Sequence, residues 1–89
     1  MRVLPPIHDA TKNFINRFVD QLPSGLIADV LDYVDNNECL IAAEDLVEYL
    51  FEADAALSRE DAESGASLFA ELGASDSDSV TTMWVMVDE

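Results

Sequence analysis

The residues able to do chemistry are few in this sequence. His8 is the single histidine and lies beside Asp9. A His–Asp pair could orient a general base, but no nucleophile accompanies it by motif, and a surface histidine after two prolines is the expectation. Cys39 is the single cysteine. Acids such as Glu38 and Glu44 would raise a thiol's pKa rather than activate it, and its place on an apolar helix side predicts a buried structural thiol. No intramolecular disulfide and no cysteine cage for a metal can be built from one cysteine. Asp76-Ser77-Asp78-Ser79 begins like a calcium loop but lacks the glycine at its sixth position and the glutamate at its twelfth, so a solvated linker is expected. The three glycines are isolated, which leaves no phosphate-cradling loop. No catalytic, cofactor or metal site is expected, and the chain reads as a non-enzyme.

Charge dominates what remains. Nineteen acidic residues face four basic ones, for a net charge of −15 on 89 residues. Such a chain repels phosphate backbones and anionic membrane surfaces, which excludes direct nucleic-acid and membrane binding as expected functions. The charge is uneven. Arg2, Lys12 and Arg17 against Asp9 leave residues 1–17 at +2, and Arg59 against 18 acids leaves residues 18–89 at −17. At 49% hydrophobic residues the chain is rich enough in apolar side chains to fold, and its length suits one domain over 1–89. No apolar run suggests a secretory leader or a membrane span, and with the lone cysteine this points to a cytoplasmic protein.

The elements that must position the acids are helical. After an irregular lead-in through His8 imposed by Pro5 and Pro6, Phe14, Ile15, Phe18, Val19 and Leu22 predict a first helix over about 10–21. Leu26, Ile27, Val30, Leu31 and Val34 predict a second over about 25–36, capped by Ser24 and stopped by Asn36-Asn37. Cys39, Ala43, Leu46, Val47 and Leu50 predict a third over about 38–54. Ser58 with Asp61 resembles a capping box for a fourth, with Ala62, Ala66, Phe69 and Leu72 inward, Gly65 permitting close approach and Gly73 closing it. The fold class is therefore all-α, a small antiparallel bundle of about four helices with its core in 9–73. A polar linker over 74–79 leads to a short apolar tail over 80–89, extended or helical; its β-branched and aromatic residues favour the extended form, although no partner strand is evident.

One surface stands out in this arrangement. Asp29, Asp32 and Asp35 on the second helix, Glu38 at the turn, and Glu44, Asp45, Glu48 and Glu52 on the third lie outward, with Tyr33, Ile41 and Tyr49 among them. Glutamates four residues apart cost a helix a few tenths of a kcal/mol per pair, with no local cation to offset it. Aromatic residues interleaved with one sign of charge suit a protein interface. These eleven residues form the candidate partner-binding set, and the alternative is a solvated face.

The segment 37–73, NECLIAAEDLVEYLFEADAALSREDAESGASLFAELG, resembles the MafI type of immunity protein of bacterial polymorphic toxin and contact-dependent growth inhibition systems. The matching pieces are Asn37-Glu38, Ala42-Ala43-Glu44-Asp45-Leu46, Glu52-Ala53-Asp54, Leu57-Ser58 and Leu72-Gly73. With the preceding helix they span roughly residues 24–73; Asn37 stands where that pattern commonly has glycine. The resemblance implies a small helical protein that binds and neutralises a cognate toxin domain, often a nuclease, in the cytosol of the producing cell; independently, a nuclease presents a basic cleft that an acidic partner complements. Two alternatives stay open: an acidic carrier or adaptor domain, and a nucleic-acid mimic that blocks a DNA-binding protein. Asp78-Ser79-Val80 resembles the Asp-Ser-Leu motif of acyl carrier proteins, but the helices that follow the modified serine there have no room after Ser79.

Overall fold

A computed structural model describes residues 6–87 and contains five helices: α1 Pro6–Asn16, α2 Ser24–Asp35, α3 Cys39–Glu52, α4 Arg59–Glu71 and α5 Asp78–Val85. The all-helical expectation holds.

The first helix starts and stops earlier than its apolar stripe predicts. Proline is favoured at the first helical position, where its missing N–H would have no partner anyway, so Pro6 opens α1 instead of forbidding it. After Asn16 the chain tightens into turns, with Arg17 N–H on Phe14 O at 3.2 Å and Phe18 N–H on Ile15 O at 3.0 Å. These turns still bury Phe18 and Leu22 but leave Val19 exposed, so Val19 drops out of the expected stripe. Phe14 and Phe18 meet edge to face, with centroids 5.2 Å apart.

Ser24 does not cap α2; it is the first residue of the helix and its side chain makes no cap. The preceding residue, Pro23, is held extended at φ −56° and ψ 144°, and its carbonyl receives Leu26 N–H and Ile27 N–H. Helices α2, α3 and α4 share one ending. Asn37, Asp54 and Gly73 take positive φ of 64°, 57° and 77°. In each case the following N–H reaches back five residues: Glu38 to Tyr33 O, Ala55 to Leu50 O and Ala74 to Phe69 O. The Ser58–Asp61 capping box of α4 is fully formed.

Most of the apolar tail is helical rather than extended: α5 takes in residues 80–85 and starts inside the stretch expected to be a linker, while residues 88 and 89 lie outside the described residues. Ser77 caps it by accepting Ser79 N–H at 3.2 Å, which spends the Asp76–Ser79 run on a helix start. Met83 of α5 is fully buried and fills the gap above Gly65, where an added Cβ would collide with the Met83 thioether and stand 3.0 Å from Phe14 Cζ. The tail is thus part of the core, which extends past residue 73. Beyond α5, Leu57 N–H bonds Met86 O at 3.0 Å and Leu57 forms a single parallel bridge with Val87. The connection between α3 and α4 therefore supplies the partner that residues 80–87 alone do not reveal.

Helix α1 packs on α2, α3 and α4, while α3 packs on α1, α2 and α5. The core is built from Phe14, Phe18, Val30, Leu46, Leu50, Phe69 and their neighbours. Buried Thr11 donates to Ile7 O at 2.7 Å, and among the described residues no buried side-chain polar atom lacks a partner.

Candidate functional site

The outer arc of α3 carries the acids. At 100° per residue, Asp45, Glu52, Ile41, Glu48 and Glu44 lie in angular order between Tyr49 on one flank and Phe51 on the other. Inward, Cys39, Ala42, Ala43, Leu46, Val47 and Leu50 are buried, and this packing fixes which way the acids face. Cys39 is buried as its position predicts.

On the Tyr49 flank, α3 meets α2. Asp29, Asp32, Tyr33, Asn36, Glu38 and Tyr49 line an open groove of 350 Å³. Both tyrosines are half-buried and rest against the core, so their rings are held rather than free. The Tyr49 phenol is raised from its ordinary 10.0 by partial burial first, and then by the negative charge of Asp45 and Asp29, with smaller pushes from Tyr33 and Glu48. Asp29, Asp32, Tyr33, Glu38, Asp45, Glu48 and Tyr49 are therefore brought together as one acidic surface with an aromatic centre.

The other four candidate residues are placed differently. Asp35 pairs with Lys12 Nζ at 3.0 Å, so a cation from α1 offsets part of the acidic row that local sequence leaves uncompensated. Glu44 is half-buried and receives the Ser77 hydroxyl at 3.3 Å, tying α3 to the start of α5. Ile41, 41% exposed, and Glu52 are outward but line neither the tyrosine groove nor the groove toward α5.

His8 is not on the surface. It is 5% exposed, and its Nε2 lies 2.8 Å from Asn37 Oδ1. The contact fastens the start of α1 to the α2–α3 turn, a structural task. Ser79 lies in the first turn of α5, its N–H held by Ser77. Among the described residues, no group of three or more His, Cys, Asp or Glu side chains is placed to hold a metal ion, and no helix is long and apolar enough to cross a membrane.

Sequence reasoning missed the second flank of α3. Phe51 is 56% exposed and Val85 72%. The signal for Phe51 was present, since it follows inward Leu50 by one residue and so falls beside the glutamate row. Val85 required knowing that the tail is helical. Compared with family models, with curated proteins and with solved structures, the chain matches none.

Proposed function

We propose that the protein is an immunity protein of the MafI type, which binds and neutralises a toxin nuclease inside the producing bacterium and has no catalytic activity of its own. The observation that carries this reading is the α2–α3 surface, where Asp29, Asp32, Glu38, Asp45 and Glu48 surround two rings held by the core. A nuclease that grips a phosphate backbone presents a basic cleft. An acidic surface of this kind complements it, with Tyr33 and Tyr49 as anchors at the centre. Electrostatic steering raises association to about 10⁸–10⁹ M⁻¹s⁻¹ at low salt. Asn37 adds support to the resemblance. It stands where the family pattern has glycine, and its φ of 64° is a conformation that glycine and asparagine tolerate best.

The deciding experiment is an inhibition and binding assay against the toxin domain encoded immediately upstream. Neutralisation with a stable complex is the expected result, and absence of a complex even at low salt overturns the reading. Charge reversal at Asp29, Asp32 and Glu48 lowers the association rate at least tenfold and flattens its salt dependence. Unchanged kinetics would place the interface elsewhere.

A further inference from the structure

Across the acidic crest from Tyr49, Phe51 of α3 faces α5. Phe51, Thr81, Thr82 and Val85, with Asp78 at the mouth, line a groove of 340 Å³. A neighbouring groove of 400 Å³ adds Glu44, Asp45 and Glu48 along its rim. Phe51 and Val85 are among the most exposed apolar side chains described. Single exposed apolar residues are ordinary, but an aromatic and an aliphatic side chain sharing one groove between two helices form a contiguous patch that water does not favour.

The rim identifies the occupant. Every charged residue lining the two grooves is acidic, so the groove selects apolar side chains flanked by cations. A second copy of the chain fits poorly, because it brings another −15 against the same rim. Among the described residues, those lining the two grooves all lie on α3 and α5, so the walls are helix surfaces, which accept a helix laid along them and offer no strand edge to an extended peptide. We propose that the α3–α5 groove binds a cationic amphipathic helix of the partner protein, seating its apolar residues against Phe51 and Val85 and its Lys or Arg side chains on Glu48 and Asp78. The proposal rests on the immunity reading for the partner's identity. Asp45 and Glu48 belong to both flanks, since they border this groove and also raise Tyr49, so the partner would straddle α3.

A leucine–lysine peptide of about eighteen residues, five helical turns with leucines at i, i+3, i+4 and i+7, is a suitable probe. Its control is a scrambled peptide of the same composition. Trp84, the single tryptophan, lies on α5 and is 41% exposed, so its emission reports binding beside calorimetry. The amphipathic peptide is expected to bind at least tenfold more tightly than the scrambled one. Phe51→Ser and Val85→Ser, both at exposed positions, each weaken it at least tenfold without changing the circular dichroism spectrum. Glu48→Gln or 0.5 M salt weakens it about threefold or more. Equal affinity for both peptides, or Phe51→Ser binding like the native protein, overturns the proposal. So does a dimer in sedimentation that Phe51→Ser dissolves, which would make a second copy the occupant. If the toxin is not neutralised while the peptide behaves as expected, the immunity reading fails and the groove stands. If the toxin is neutralised equally well by Phe51→Ser and the peptide does not bind, only the groove assignment fails.

Discussion

Two residues show how much of this surface depends on single side chains. His8 has almost no contact with water, and its polar partner among the described residues is Asn37, which itself holds the left-handed turn between α2 and α3. Removing the imidazole leaves a cavity and a lost hydrogen bond, so His8→Ala should cost about 1–3 kcal/mol in urea unfolding. Asn37→Gly tests the other end: it relieves the positive φ but strands His8, and a net loss of stability identifies the hydrogen bond as the larger effect. Tyr49 reports the field of the site directly. The chain has two tyrosines, so in Tyr33→Phe the phenol absorbance rise near 295 nm belongs to Tyr49 alone. Its midpoint should lie above 10.0, and Asp29→Asn with Asp45→Asn should lower it. Because the folded phenol is raised, its contribution to stability is complete below pH 10 and disappears as pH climbs through the folded value. A midpoint at or below 10.0 would mean that neither burial nor the acids act on Tyr49.

At the scale of elements, the joint between α4 and α5 carries a sharp expectation. Glycine normally weakens a helix, yet Gly65 sits where a Cβ would meet Met83 and Phe14. Gly65→Val should therefore cost about 1–3 kcal/mol by overpacking, and pairing it with Met83→Ala should recover part of that loss. A gain in stability would show that α5 is not seated there. The same joint explains which elements were legible in the sequence. Helices α2, α3 and α4 announce themselves through apolar periodicity, the Ser58–Asp61 box and the stops at Asn37 and Gly73. The tail does not, because six of the eight residues over 80–87 are β-branched or aromatic and favour a strand locally, and only burial of Met83 against Gly65 and the Ser77 cap make it helical. Helix α1 was displaced because its apolar stripe continues past Asn16 into turns that bury Phe18 and Leu22 just as a helix would. The acidic candidate set was legible as residue types, but its division between Tyr49 and α2, and Phe51 and α5, depends on how α3 is clamped between its neighbours. Pattern on one helix does not contain that information.

For the whole molecule, charge and compactness oppose each other. The radius of gyration is 12.3 Å, close to the roughly 12 Å expected for a folded chain of this length, so the core holds against a net charge of −15. The described ion pairs offset little of that repulsion. Lys12–Asp35 and Arg17–Asp61 are partly exposed, and such pairs contribute about 0.2–1 kcal/mol each. Screening should therefore relieve more repulsion than it removes attraction. Raising salt from about 0.02 to about 0.5 M shortens the screening length from roughly 20 Å to a few ångströms. Stability should then rise on the order of 1 kcal/mol, read as an increase of about 4–8 °C in Tm. A Tm that falls with salt would mean the ion pairs outweigh the repulsion. Association with the proposed basic partner is expected to respond in the opposite sense, slowing as salt rises, because in that reading the charge that strains the free protein is the charge that draws the partner in. Measured on one preparation, the two slopes test a single cause: variants that neutralise Asp29, Asp32 and Glu48 should flatten both together, whereas flattening of only one would separate the binding surface from the source of the repulsion.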